Sequence, residues 1–263
     1  MPSIQLGQLQ QEAAHLSEHF TDPERYLREL ERLLQTYATP IHRQGRIKGM
    51  RPILFSFEVP PPVLRRLEME LSQQAEQQPA AALALADTLW ERRSFETRQL
   101  AIRLVGSAPA AESEVGLRLA AWASENQEEL LVSELHTRGT RRMAANNPEA
   151  LLYFAQQMLA TGDFRKQSLG LGSLQTLLAA GQFANLPALF AVLLPISQGP
   201  PRKLQPFLAD LLVALAKETP KETAFFLGRI LAEQPSESTR WVARQVLRHL
   251  PTEMQAGLRE VAK

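Results

Sequence analysis

The sequence predicts an all-α chain built as a stack of helical hairpins, and three observations lead there. The stretch Leu83–Val105, LALADTLWERRSFETRQLAIRLV, places Leu85, Leu89 and Trp90 on one apolar face and breaks at Arg92 to Ser94. A second face then begins with Leu100, Ile102, Leu104 and Val105. Pro79, Pro109, Pro148, Pro187, Pro220 and Pro235 punctuate the rest of the chain, each expected near a helix boundary because proline suits only the first turn. No alternation of valine, isoleucine or threonine is long enough to make a strand. A hairpin of this length cannot bury its apolar faces alone, so the expected architecture is a helical repeat array, a right-handed solenoid or curved stack.

Taken in order, Gln5 to Phe20 is a polar, weakly amphipathic helix. Asp22 caps a second with Pro23 at its first position and Tyr26, Leu27, Leu30, Leu33 and Leu34 on one face. These two helices make an N-terminal helical cap, residues 1–38. Residues 39–62 are a connector holding two glycines and five prolines, with Arg43, Arg46, Lys48 and Arg51 ahead of any acid. It reads either as a solvated link or as an arm that tracks phosphates, anchored to the first repeat by Phe55 and Phe57. Residues 63–263 form the array, whose apolar faces recur in Ser113–Ser124, Leu130–Ala145, Glu149–Thr161, Arg165–Ala180, Leu186–Ile196, Leu204–Lys217, Glu222–Ala232 and Thr239–Leu250. Cap, connector and array read together as one domain.

Composition narrows the function classes. At 263 residues, 44% hydrophobic and 22% charged, the chain resembles ordinary globular proteins and not disordered ones. The absence of cysteine removes disulfides, thiolate metal sites and cysteine nucleophiles. The start, MPSIQLGQLQQEAAHL, lacks a basic segment followed by an apolar core, and no window of about 18 apolar residues occurs. A cytoplasmic protein without membrane contact is therefore expected. Since the net charge is only +1, any nucleic-acid surface must come from local clustering of cations.

The unit LW…FETRQLAIRL resembles the first repeats of the DNA alkylation repair family, the AlkD-like DNA glycosylases built from HEAT-like repeats. Pro148–Leu174, PEALLYFAQQMLATGDFRKQSLGLGSL, is similar to that family's proline-glutamate helix start leading to an aromatic and an arginine-bearing helix, with Phe164 in the aromatic place. Lys203–Pro220 and the arginine-rich Ala243–Leu250 resemble its later helices. Together these segments cover roughly residues 45–250. The resemblance implies a HEAT-like helical repeat solenoid and double-stranded DNA, damaged or distorted duplex included, as partner.

The family's chemical residues carry over poorly. Its glycosylases hold an aspartate four residues after a tryptophan, where a carboxylate stabilises the positive charge that develops on the sugar as an alkylated purine departs. After Trp122 that place holds Asn126. Glu128, Glu129 and Glu134 are the anions left in the window, as substitutes or as a solvated helix face. The family arginine of the middle repeat falls at Gln167, beside Arg165 and Lys166, and a cleft tryptophan falls at Asp210. Trp122, Phe164 and Trp241 are the cleft aromatics to consider.

For binding there remain cations at repeat boundaries: Arg141 and Arg142, Arg165 and Lys166, Arg202 and Lys203, and the ridge Arg240, Arg244 and Arg248. They fit a track along a nucleic-acid backbone, aided by helix-terminal amides, and equally fit solvated helix ridges. His15 and His19 share one helix without the glutamate or third ligand of a zinc site, so no metal and no cofactor is expected. The glycines in Gly170–Leu174 fall within a helical pattern and suit close helix packing better than dinucleotide binding. Three functions follow: a diverged, non-catalytic DNA-binding HEAT-repeat protein, an active N-alkylpurine glycosylase using a glutamate, or a protein-binding scaffold.

Overall fold

The computed structural model describes residues 6–38, 53–181, 183–232 and 235–261. Arg43, Arg46, Lys48 and Arg51 of the connector lie outside them. Among the described residues there is no strand, only one isolated bridge between Phe55 and Ser94, so the chain is all-helical. No described helix is long and apolar enough to cross a membrane. The chain divides into two compact units, Met1–Met143 and Ala144–Lys263.

In the first unit, α1 (Leu6–Ser17), α3 (Pro61–Gln77), α5 (Phe95–Ser107) and α7 (Glu129–Thr137) pack one against the next as a layer. A second layer holds α2 (Pro23–Tyr37) and α4 (Pro79–Glu91). α6 (Glu112–Glu125) joins α4 through a stacked pair, Trp90 on Trp122, with ring centroids 4.7 Å apart and planes 9° from parallel. It joins α4 again through Arg118, bidentate on Asp87. The cap is therefore part of the layers. α2 starts as expected, with Asp22 accepting from the Arg25 amide and Pro23 in the first turn, and buries Tyr26, Leu30, Leu33 and Leu34. Each such side chain, taken out of water, stabilises the unit by roughly 1.5–3 kcal/mol.

The hairpin read at Leu83–Val105 is α4 and α5. Ser94 caps α5: its hydroxyl accepts from the Thr97 amide at 3.4 Å and lies 2.8 Å from the Thr97 hydroxyl. Arg93, with φ +57°, makes the turn between the helices. The single apolar face expected over Leu130–Ala145 is two helices, α7 and the short α8 (Arg141–Asn146), interrupted at Arg138–Thr140. Gly106 explains the interruption: a Cβ there would overlap the Arg138 carbonyl oxygen, so α5 meets the end of α7 backbone to backbone.

In the second unit, α10 (Phe164–Ala179), α12 (Gln205–Glu218) and α14 (Glu237–Leu247) form one layer. α9 (Pro148–Leu159), α11 (Leu186–Gln198), α13 (Pro220–Ala232) and α15 (Thr252–Val261) form the other. α15 lies beyond the last apolar face expected from sequence, Thr239–Leu250. Asn147, Asp163, Asn185 and Ser236 supply side-chain caps. Gly170 lets α10 close on α9, where a Cβ would lie 3.0 Å from the Ala155 carbonyl oxygen and 3.1 Å from Met158 Cβ.

Gly106→Ala is expected to destabilise the protein by about 2 kcal/mol or more, since the obstacle is backbone. Urea unfolding measures it, and a midpoint equal to that of the natural chain would refute the close approach.

Candidate functional site

Trp122 and two of the three candidate glutamates, Glu128 and Glu134, are bonded into the scaffold. Trp122 is buried, stacked on Trp90, and the same Trp90 ring carries the Arg98 guanidinium 4.2 Å from its centroid. Arg98 also donates to the Trp90 carbonyl at 3.2 Å, and Trp90 Nε1 donates to Glu125 at 3.2 Å. Burial, then the nearby charge of Arg93, lower the Arg98 pKa against the pull of Glu125, yet a guanidinium so placed stays protonated. Asn126, at the place of the family carboxylate, is buried as the cap ending α6. It exchanges two hydrogen bonds with the Glu128 backbone, at 2.8 and 3.0 Å.

Glu128 is 4% exposed. One oxygen accepts from the Ile53 amide at 2.6 Å and the other from the Leu130 amide at 3.4 Å, which caps α7. Glu134 forms a fork with Arg103, at 3.0 and 3.1 Å, and takes a third bond from Gln99 at 3.0 Å. Arg103 reaches Glu68 at 2.8 Å on its other side, and Arg138 lies 3.8 Å from Glu68. Burial alone would raise the Glu134 carboxyl. The hydrogen bond and charge of Arg103, then Gln99 and Arg138, outweigh it and hold the group below its ordinary value. Glu129 is exposed in the first turn of α7.

Sequence reasoning missed Glu96. It is 1% exposed at the start of α5 and accepts from the Ser56 hydroxyl at 2.7 Å and from the Phe57 and Glu58 amides, each at 3.0 Å. With the Phe95 amide donating to the Phe55 carbonyl at 2.8 Å, and Glu128 holding Ile53, two buried carboxylates fasten residues 53–58 across the starts of α5 and α7. Phe57 is buried as the anchor. The Phe55 ring is 66% exposed, packed only edge-on against Phe57. A lone glutamate in FETR carries no local signal for this, because its partners lie about forty positions upstream.

The expected cations fall into separate places. Arg141 is exposed and Arg142 is engaged by Glu76 and, at 3.1 Å, by the Ser107 carbonyl; both belong to the first unit. In the second unit the layer α10, α12, α14 brings helix starts together. Lys203, just ahead of α12, lies 5.5 Å from the centroid of the Phe164 ring that opens α10, and Gln205 Nε2 donates to the Ser238 hydroxyl of α14 at 2.9 Å. Phe164 is 37% exposed. Arg165, Lys166, Arg202, Lys203 and Arg240 thus lie at neighbouring helix starts, together with Asp163, whose carboxylate caps α10, and Glu237 in the first turn of α14. Arg244 and Arg248 continue from Arg240 along α14 toward its far end, Trp241 is half-buried and Asp210 is exposed on α12. Gln167, at the family arginine's place, instead donates to the Leu159 and Thr161 carbonyls at 3.3 and 2.7 Å, closing the end of α9.

Among the described residues no group of three metal-binding side chains is found; His15 and His19 meet edge to face, 5.6 Å apart. No protein-family model, curated protein or solved structure is found to match the chain.

Because the Glu134 carboxyl is held below 4.5 in the folded chain, its pairing stabilises fully above that value and is lost as pH falls through the depressed one. Glu134→Gln is expected to cost about 1–3 kcal/mol at neutral pH, with the gap to the natural chain closing in acid. Urea midpoints across a pH series measure this; a gap independent of pH would refute the pairing.

Proposed function

We propose that this chain is a diverged, non-catalytic member of the AlkD-like group, a HEAT-like repeat solenoid that holds double-stranded DNA by its phosphate backbone. The observation that carries the proposal is the cationic edge of α10, α12 and α14. There Arg165, Lys166, Arg202, Lys203 and Arg240 lie at neighbouring helix starts, with Lys203 over the half-exposed ring of Phe164. Positive side chains on one edge suit phosphate oxygens, which position a duplex without reading its sequence.

The layer α3, α5, α7 contrasts with it. Arg103 and Arg138 there are matched by Glu68 and Glu134, so that layer offers phosphate little net charge. The repeat assignment is supported by helix starts that recur. Arg98 and Gln167 occupy the fourth position of α5 and α10, and each donates to carbonyls at the end of the helix before. Ser94 with Thr97 and Ser236 with Thr239 form the same hydroxyl pair, 2.8 Å in both. The non-catalytic assignment rests on Glu128 and Glu134 being bonded into the scaffold, which leaves Glu129 as the exposed carboxylate for the glycosylase alternative.

Titration of the full chain against a labelled duplex at several salt concentrations is expected to give sequence-independent binding that weakens steeply with salt. The double variant Arg202→Ala, Lys203→Ala should lower the logarithmic salt slope by about two, whereas Lys217→Ala, at the other end of α12, should leave it nearly unchanged. Equal effects of all three substitutions would reject the edge. Release of bases from methylated duplex, lost in Glu129→Gln, would reject the non-catalytic assignment.

A further inference from the structure

The second unit has a further surface on its other layer. Between α11 and α13 lies a cavity of about 440 Å³ lined by Leu186, Phe190, Ala191, Phe225 and Phe226, with Lys221, Glu222 and Arg229 at its rim. Its floor is made by the rings of Phe190 and Phe226, 4.9 Å apart and tilted 30°. Phe226, Leu227, Ile230 and Leu231 supply the buried face of α13, so Phe225 is surplus to the core and stands 78% exposed. Exposed aromatic area beside a preformed apolar cavity marks a surface that another molecule covers.

We propose that this groove receives an amphipathic helical segment of a partner protein, apolar along one ridge and acidic at both ends of that ridge. The occupant follows from spacing and charge. Lys221, Phe225 and Arg229 stand at i, i+4 and i+8, one ridge of α13 with a cation one turn to either side of the exposed ring. The two cations are about 12 Å apart along the axis, a span that two carboxylates separated by two turns of a facing helix match. Two cations against Glu222 leave the rim positive. The apolar cavity between them takes the side chains of the ridge, the arrangement by which grooves bind helices. A lipid tail or neutral ligand would use the apolar floor and leave both cations unanswered.

The experiment uses the full chain and a labelled helical peptide with leucines at i, i+3, i+4 and i+7 and glutamates at both ends of that ridge, followed by fluorescence anisotropy. Saturable binding is expected at roughly 10 µM. It should be weakened about tenfold or more by Phe225→Ala, whose side chain carries no core packing, with circular dichroism checking that the variant folds. A peptide with lysines in place of the glutamates should bind weakly to the natural chain and better to the Lys221→Glu, Arg229→Glu double variant. No binding, no loss in Phe225→Ala, or equal binding of the two peptides would overturn the proposal. So would a mass by light scattering that rises with concentration and falls back in Phe225→Ala, since a second copy would then be the occupant. DNA titration of Phe225→Ala, expected unchanged, separates this groove from the cationic edge of α12.

Discussion

Everything in this chain depends on closing the ends of its helices. With no sheet among the described residues to absorb backbone polar groups, each helix leaves donors at its start and acceptors at its finish that must find partners nearby. The solution recurs. Side chains at the start of a helix in one layer reach the terminal carbonyls of a helix in the other: Arg98 to Trp90, Gln167 to Leu159 and Thr161, Thr239 to Ser197 and Gln198. Each bond joins the layers where an unsatisfied buried carbonyl would cost about 1–3 kcal/mol. The same constraint fixes where the buried glutamates go. Glu96 and Glu128 sit at helix starts and face amides of residues 53–58, so a stretch that pairs with no strand still satisfies its donors.

Local signals made the helices legible. Asp22 followed by Pro23, the cap at Ser94 and the boundary prolines act within four residues of themselves, and the elements they delimit are found where they were expected. Interactions between distant segments were not legible. Leu130–Ala145 read as one face because its apolar spacing continues through the break, while the break depends on Gly106, thirty-odd residues upstream, admitting the Arg138 carbonyl. Trp122 read as a cleft aromatic because tryptophan suits both stacking on a base and filling a core. Only the position of Trp90 decides between them, and the two rings stack with Arg98 over one of them.

The candidate carboxylates illustrate the same limit. In WASENQEELLVSEL the four glutamates are alike as text, yet Glu125 accepts from the Trp90 indole, Glu128 caps α7 and grips Ile53, Glu134 is clamped by Arg103 and Gln99, and Glu129 is exposed. Their differences come from partners on α4, α5 and the segment before α3. The cations divide by place: Arg165, Lys166, Arg202 and Lys203 sit at starts of helices in one layer, Arg244 and Arg248 toward the far end of α14, and Arg141 and Arg142 in the first unit.

Charge is therefore distributed by layer, and this reconciles a net charge of +1 with a local cationic edge. Opposite charges in the layer α3, α5, α7 are consumed in bridging neighbouring helices, as Arg103 does between Glu68 and Glu134. Such a bridge holds helices in register but cancels the field outside them. In the second unit the layer α10, α12, α14 is held by apolar packing, with Leu208, Leu211, Leu212 and Leu215 of α12 buried. Arg202 and Lys203 ahead of α12 are exposed there, and like charges so placed repel by little at physiological ionic strength.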